Sequence, residues 1–242
     1  MTFTQLLALA QSSGLPVTAD SRQVKKGDIF VAVAGTHVDG HDYIRQAQER
    51  GAGYIVTQRP VDGTNCIIVE DSAASLGLLA QASFGNPNSF LTNLAVTGTN
   101  GKTTVAYMVR SIIEHSGSRC GLIGTIEYST GGGKVAAPLT TPDAVTIARA
   151  ASEMMDNGCE YMMIEASSHA LDQRRLAGIS FTAEAFTNLT GDHLDYHKTE
   201  DDYLEAKSRL FLDLPPHGLA VLNVESDEAH TIAELIEPSK RT

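Results

Sequence analysis

One segment of the chain combines two glycines with a lysine and two threonines, a combination suited to binding a polyphosphate. It reads Val96-Thr97-Gly98-Thr99-Asn100-Gly101-Lys102-Thr103-Thr104 and lies between an apolar strand and a predicted helix. Glycines allow the tight turn, and the N–H groups at the start of a helix attract anions. Lys102 would neutralise the outer phosphates, and the Thr103 hydroxyl would bind Mg²⁺. The alternative is an ordinary glycine turn, and the loop is shorter than most P-loops.

Polar residues also follow two other predicted strands. Glu165 stands at the carboxyl end of the continuous apolar run 161–164, which is typical of a strand buried on both faces. An acidic side chain at that edge is suited to binding Mg²⁺, and the alternative is a solvated carboxylate. The segment 188–197 is rich in Asp and His, which favours either a metal or phosphate site or a hydrogen-bonded loop.

Lys207 has an unusual place for a lysine in a predicted helix. At about 100° per residue, it falls in the middle of an apolar stripe with Leu204, Leu210 and Phe211. The pattern therefore predicts that Lys207 points inward, away from the charged face of the helix. Burial disfavours the ammonium form, and a neutral amine can react with CO₂ to give a carbamate that binds Mg²⁺. The alternative is a lysine that is ion-paired or extends its head group to solvent.

Composition argues against several classes of protein. The 242 residues carry a formal net charge of -11, whereas a nucleic-acid-binding surface requires a basic field. Cys66, Cys120 and Cys159 lack C-x-x-C spacing, so we expect reduced thiols. The first residues do not read as a signal peptide, and no apolar run approaches the roughly 18 residues of a spanning helix. These features predict a cytoplasmic protein with no nucleic-acid or membrane partner.

Strand-like and helix-like segments alternate along the chain, which predicts an α/β fold with mostly parallel sheets. The predicted strands are 28–33, 53–57, 66–70, 92–97, 120–123, 161–166, 184–187 and 219–222. The predicted helices are 42–50, 72–84, 143–157, 201–211 and one from the phosphate loop to about 115. The glycine-rich stretch 129–134 is predicted to be a hairpin tip or a mobile connection. Turn-forming residues at 85–89 predict a boundary between a domain over 1–88 and a domain over 89–242.

Several of these segments together resemble the Mur ligases of peptidoglycan assembly. The resemblance rests on 97–104, 165–169, 188–193 and Ala206-Lys207 with Leu210-Phe211, and is supported by 20–22, 27–32, 39–44, 140–142 and 192–197. It covers essentially the whole chain. It implies a small N-terminal α/β domain that binds a nucleotide sugar, followed by an incomplete ATP-binding P-loop domain. The family's C-terminal amino-acid-binding domain would be absent.

The resemblance also implies roles for individual residues. ATP would be bound by Gly98, Thr99, Asn100, Gly101, Lys102, Thr103 and Thr104. Mg²⁺ would be bound by Thr103, Glu165, His193 and a carbamylated Lys207. The catalytic residues would be Lys102, Lys207 and His193. The uridine diphosphate end of the substrate would contact Ser21, Thr36, His37 and Val38, and the muramoyl part would contact Thr140, Thr141, Ser167, Gln173 and Arg175.

The implied reaction is ATP-dependent amide formation through an acyl phosphate. The substrates would be UDP-N-acetylmuramoyl-L-alanyl-D-glutamate and a third amino acid, either meso-diaminopimelate or L-lysine. No protein nucleophile is needed, because ATP activates the carboxylate. The chain is shorter than the three-domain pattern of the family, so we expect weak or no ligase activity from it alone. A separate chain that carries the remaining part is the alternative.

Other classes of function stay open at this point. A folylpolyglutamate or cyanophycin synthetase would share the phosphate loop and the inward lysine, although the segments between 20 and 44 argue against the folate enzyme. A P-loop kinase or a non-catalytic nucleotide-binding module would share the loop alone. A kinase would phosphorylate its acceptor with no amine present, whereas a ligase should release ADP and phosphate only when the amino acid is supplied.

Overall fold

The computed structural model describes residues 1–36, 38–62, 65–190, 194–212 and 214–236, and it describes residues 194 and 195 by their backbone alone. The chain divides into two compact units. The first comprises Met1–Pro87, Ala144–Arg149 and Gln173–Ile179, and the second comprises Asn88–Asp143, Ala150–Asp172 and Ser180–Thr242. Among the helices of the described ranges, none is long and apolar enough to cross a membrane.

A parallel four-stranded sheet forms the centre of the first unit. Its strands, in spatial order, are β1 Val17–Thr18, β2 Ile29–Val31, β3 Tyr54–Thr57 and β4 Cys66–Ile68. The helices around it are α1 Phe3–Ser13, α2 Ile44–Glu49 and α3 Ser72–Ser83. Ile29 and Val31 of β2 enter one apolar cluster, and Phe30 enters another. The sheet is therefore covered on both faces, as expected for parallel strands.

Helix α1 is missing from the sequence-based prediction although the chain carries signals for both of its ends. Thr2 and Gln5 form a capping box, in which each side chain accepts a hydrogen bond from the other residue's backbone N–H. Gly14 ends the helix with a φ angle of 63°. The apolar residues Leu6 and Ala10 lie one turn apart and are fully buried, so this helix packs through one face.

The second unit contains a seven-stranded sheet in the order β11-β10-β5-β9-β6-β7-β8. Its strands are β5 Thr92–Thr97, β6 Cys120–Ile123, β7 Glu127–Ser129, β8 Lys134–Ala136, β9 Tyr161–Glu165, β10 Ala183–Phe186 and β11 Leu219–Leu222. The first five in spatial order are parallel, and β7 and β8 are antiparallel. The helices are α4 Lys102–His115, α5 Ala144–Asp156, α6 Ser168–Asp172, α7 Leu194–His197, α8 Glu200–Leu212 and α9 Asp227–Leu235, and α5 contributes residues to both units. Ligands of such sheets bind at the carboxyl ends of the parallel strands.

The predicted α/β fold with mostly parallel sheets is confirmed, and the ends of the predicted elements differ from the observed ends by two residues at most. The stretch 129–134 is a hairpin tip between β7 and β8, where the Thr130 N–H donates to the Gly133 carbonyl at 3.2 Å. The helix predicted from residue 42 begins instead at Ile44. A 3-10 helix over Gly40–Tyr43 precedes it, because the Asp39 carboxylate caps the N–H of His41 and starts the turn early.

Candidate functional site

The glycine-rich loop joins β5 to α4 at the carboxyl edge of the seven-stranded sheet. Gly98 and Gly101 have φ angles of 141° and 86°, a region that residues with a side chain rarely adopt. A Cβ atom on Gly98 would lie 1.9 Å from the Thr187 Oγ1 atom, just after β10. A glycine is therefore needed at position 98 for two reasons. The backbone conformation disfavours a side chain, and the neighbouring segment leaves no space for one.

Residues after β10 hold the loop in shape. The N–H groups of Thr99 and Asn100 donate to the Asn188 carbonyl and the Asn188 Oδ1 atom, at 2.8 and 3.0 Å. In the other direction, the Thr190 N–H donates to Thr99 Oγ1 at 3.0 Å, and the Thr187 hydroxyl donates to the Asn100 carbonyl at 2.6 Å. Because Asn188 engages two of the loop's N–H groups, an anion would be held by the first turn of α4. The N–H groups of such a turn have no partner within the helix.

Two lysines converge on one carbonyl oxygen of the loop. The Lys102 ammonium donates to the carbonyl oxygens of Gly98 and Thr99, at 2.8 and 2.9 Å. The Lys207 ammonium donates to the same Gly98 oxygen at 2.9 Å, and this residue is only 1% exposed. The inward orientation predicted for Lys207 is confirmed. The Lys102 ammonium brings positive charge to this point of the loop, which is suited to an anionic ligand.

Tyr203 contacts both Lys207 and the phosphate loop, and no pattern in the sequence marks it as a site residue. The Lys207 Nζ atom lies 4.3 Å from the centre of the Tyr203 ring, within cation–π distance. The Tyr203 hydroxyl is hydrogen-bonded to the Thr99 hydroxyl at 3.2 Å. Tyr203 lies four residues before Lys207, so both side chains emerge on one face of α8. The tyrosine therefore links the helix that carries the lysine to the phosphate loop.

The predicted Asp- and His-rich segment contributes rings to a packed cluster. The His197 ring centre lies 5.1 Å from that of Tyr203 and 4.7 Å from that of Tyr196. The His169 and Tyr196 ring centres are 4.1 Å apart, with the ring planes tilted by 43°. The Tyr196 hydroxyl donates to the Asp172 carboxylate at 2.9 Å. These contacts support a packing role for Tyr196 and His197.

Glu165 is the last residue of β9, and its side chain lies at the edge of the sheet where the parallel strands end. Strand pairing places Glu165 opposite Val96 of β5, and the side chain is fully buried. The Thr103 hydroxyl donates to the Glu165 Oε2 atom at 2.8 Å, so the acid and the start of α4 are in direct contact. Thr125 donates to both carboxylate oxygens, through its hydroxyl at 2.9 Å and its N–H at 3.0 Å. A Cβ atom on Gly124 would lie 2.3 Å from Oε1, so this glycine makes room for the acid.

The surroundings of Glu165 fit a divalent cation that prefers oxygen ligands. The carboxylate supplies negative charge, and the Thr103 hydroxyl keeps lone pairs for a cation because its proton points to Glu165. Within the described residues, no three His, Cys, Asp or Glu side chains are grouped to hold a metal ion. Phosphate and water oxygens would have to complete the site, as they do for nucleotide-bound Mg²⁺. His193, another predicted ligand, lies outside the described residues.

Three residues predicted to contact the muramoyl part of the substrate lie close to Glu165. The Thr141 hydroxyl donates to the Glu165 carbonyl at 2.6 Å and accepts from the Ser167 N–H at 3.0 Å. Thr141 is 1% exposed, so its hydroxyl serves the internal structure of this edge. Thr140 is half-buried, and its hydroxyl is 3.1 Å from the Thr125 hydroxyl.

The remaining predicted substrate contacts lie in the first unit. The Ser21 hydroxyl donates to the Gln46 Oε1 atom at 2.5 Å and is buried. Arg175 donates through two nitrogens to the Gln173 Oε1 atom, at 3.1 and 2.7 Å. Thr36 and Val38 are exposed. His37 lies outside the described residues.

The cysteines of the chain are free thiols. Burial raises the pKa of the Cys120 thiol to about 12, and it also raises the pKa of Cys159 and of Cys66. The three thiols are therefore protonated at neutral pH, and a protonated thiol is a poor nucleophile.

Comparison with known proteins identifies the family. The Mur ligase middle domain matches residues 96–241, and the Mur ligase family catalytic domain matches residues 16–82. The chain is 43% identical over 230 residues to the UDP-N-acetylmuramoyl-L-alanyl-D-glutamate–2,6-diaminopimelate ligase of Parabacteroides distasonis, covering 93% of this chain and 47% of the relative. The ligase of the same name from Aquifex aeolicus is 46% identical over 198 residues, which cover 81% of this chain and 41% of the relative. A solved structure of a ligase of that name has a TM-score of 0.77 at 30% identity, covering 91% of this chain and 45% of that one.

The chain spans less than half the length of the curated relatives it matches. The match to the middle domain nevertheless extends over more than half of the chain and contains the phosphate loop, Glu165 and Lys207. The contacts among these residues are therefore found within one recognised domain. From this match we conclude that the chain belongs to the Mur ligase family.

Proposed function

We propose that this chain carries the nucleotide-sugar-binding and ATP-binding parts of an amide ligase that extends UDP-N-acetylmuramoyl-L-alanyl-D-glutamate by one amino acid. The N-terminal domain over 1–88 would hold the uridine diphosphate end, and the domain over 89–242 would bind ATP. The relatives are named as 2,6-diaminopimelate ligases, which favours 2,6-diaminopimelate over L-lysine as the added amino acid. The proposal rests chiefly on the convergence of Lys102 and Lys207 on the Gly98 carbonyl, next to the contact between Thr103 and Glu165.

The reaction would proceed in two balanced steps. An oxygen of the D-glutamyl carboxylate bonds to the γ-phosphorus of ATP, the bond from that phosphorus to the β,γ-bridging oxygen breaks, and ADP leaves. The amine of the amino acid then bonds to the acyl carbon, inorganic phosphate leaves, and the amine loses a proton. The first step brings two anions together, so neutralisation of charge by Lys102 and by the N–H groups of α4 lowers its barrier.

Mg²⁺ would supply further positive charge against the phosphoryl group that is transferred. Glu165 and Thr103 are the described residues that would hold it, together with His193. Lys207 would join them as a carbamate, formed when its neutral amine bonds to the carbon of CO₂ and releases a proton. The Lys102 ammonium donates to the same carbonyl oxygen and disfavours a second positive charge there. This repulsion supports the conversion of Lys207 from a cation to an anionic carbamate.

A calorimetric titration with UDP-N-acetylmuramoyl-L-alanyl-D-glutamate tests the proposed substrate. We expect saturable binding to the 242-residue chain, stronger in the presence of Mg²⁺ and a non-hydrolysable ATP analogue, and no binding of a folate. An accompanying assay would measure release of ADP with and without 2,6-diaminopimelate. Failure to bind the muramoyl nucleotide, or release of ADP with a stable phosphoester and no amine present, would contradict the proposal.

A further inference from the structure

Four side chains form a continuous hydrogen-bonded row along the carboxyl edge of the second unit. The hydroxyls of Thr103 and Thr125 lie 2.8 and 2.9 Å from the same oxygen of Glu165. The Thr125 hydroxyl also lies 3.1 Å from the hydroxyl of Thr140. We call Thr140, Thr125, Glu165 and Thr103 the hydroxyl row. It connects a residue proposed to contact the muramoyl substrate with the residues proposed to hold the cation.

The direction of the hydrogen bonds in this row follows from counting protons. An ionised carboxylate only accepts hydrogen bonds, so the single hydroxyl proton of Thr125 points to Glu165. The Thr125 oxygen can then only accept from Thr140, which commits the single hydroxyl proton of Thr140 as well. What Thr140 still offers to a ligand is a lone pair. Thr140 is therefore suited to an amide N–H or a hydroxyl of the substrate and not to its carboxylate or phosphate oxygens.

Thr125 is the member of the row that fixes the plane of the Glu165 carboxylate. Its N–H donates to Oε1 at 3.0 Å while its hydroxyl donates to Oε2, so one residue holds both oxygens. The glycine before it, Gly124, leaves the space that the Oε1 atom occupies. Partners that orient a metal-binding carboxylate typically affect cation affinity by 10–100-fold.

We propose that Thr125 is a positioning residue for Glu165, and that it transmits contact at Thr140 to the cation site. Accepting a hydrogen bond strengthens a hydroxyl as a donor, so a substrate N–H that binds Thr140 would strengthen each following bond up to Glu165. Binding of the muramoyl nucleotide would thereby favour binding of Mg²⁺ with ATP. This inference rests on the proposed function for the identity of both ligands.

The test measures how much Mg²⁺ the chain needs to bind a non-hydrolysable ATP analogue. Thr125→Val removes the hydroxyl and keeps the shape, and we expect the Mg²⁺ concentration for half-maximal binding to rise about tenfold. Thr125→Ser keeps the hydroxyl and should stay close to the unmodified chain. Thr182→Val is the matched control, because Thr182 is an exposed threonine in the same unit and outside the row. Urea denaturation of each variant separates loss of folding from loss of positioning.

A double-mutant cycle tests the transmission from Thr140. We expect Thr140→Val to raise the Mg²⁺ requirement about threefold in the unmodified chain and to have no effect in the Thr125→Val background. Additive effects of the two substitutions would overturn the transmission. A Thr125→Val variant that behaves like Thr182→Val would overturn the positioning role and leave the proposed function intact. If binding of the ATP analogue does not depend on Mg²⁺ in any of these proteins, both the positioning role of Thr125 and the proposed function are contradicted.

Discussion

Replacing Glu165 by glutamine is expected to raise the Mg²⁺ concentration needed for nucleotide binding about a hundredfold. Glutamine keeps the shape of the side chain but removes its negative charge. A hydrogen bond to a charged group contributes about 1.5–3 kcal/mol, and we expect loss of the charged contact with the cation to cost a similar amount. Thr103 would remain as a neutral ligand that does not compensate. The measurement is a calorimetric titration of a non-hydrolysable ATP analogue at a series of Mg²⁺ concentrations.

Glu153→Gln serves as the control for Glu165→Gln. Glu153 lies on α5 in the same unit, is exposed and is not among the proposed ligands, so the substitution removes the same charge from a residue outside the proposed site. We expect it to leave the Mg²⁺ requirement unchanged. If both variants bind the analogue like the unmodified chain, Glu165 is not a ligand and its burial has another cause.

Replacing Gly98 by alanine is expected to destabilise the chain by about 3 kcal/mol and to abolish nucleotide binding. The added Cβ atom would lie 1.9 Å from Thr187 Oγ1 and 3.0 Å from the Asn188 carbonyl oxygen, and the φ angle of 141° disfavours any side chain. Overpacking and backbone strain each cost about 1–3 kcal/mol. The loop would have to move, and with it the carbonyl oxygen that Lys102 and Lys207 share.

Gly133→Ala provides the comparison, because Gly133 lies in the same unit with open space around its Cα atom and no positive φ angle. Its free energy of unfolding in urea should change by less than about 0.5 kcal/mol. A Gly98→Ala variant as stable as Gly133→Ala, with unchanged affinity for the ATP analogue, would show that the loop tolerates a side chain and that its described conformation is not the binding one.

The sequence was sufficient to predict the inward orientation of Lys207, because a helix has one strong period and the lysine interrupts an apolar stripe. Tyr203, Leu210 and Phe211 are buried on the same face of α8, as that period requires. The partner of Lys207 could not be predicted in this way. Its contact with Gly98 joins residues 109 positions apart, and only the packing of α8 against the loop brings them together.

Strand ends were predicted well enough to locate Glu165, since a continuous apolar run that stops at an acid has one plausible end. The same rule would have found Thr125, because it follows the end of β6 as Glu165 forms the end of β9. A threonine after a strand is common, however, and does not by itself indicate a site. Asn188 and Thr187 were also unrecognised as supports of the loop. Their roles depend on β10 lying next to β5. A local sequence pattern does not predict the order of strands in a sheet.

The most direct test of the central claim is the affinity of the unmodified chain and of Lys102→Ala for a non-hydrolysable ATP analogue with Mg²⁺. We propose that the loop over 98–104, with Glu165, binds a nucleoside triphosphate and its cation. We expect saturable, Mg²⁺-dependent binding to the unmodified chain, and at least about thirtyfold weaker binding after loss of the Lys102 ammonium, which would donate to phosphate oxygens. Equal affinity of the two proteins for the analogue would contradict the account.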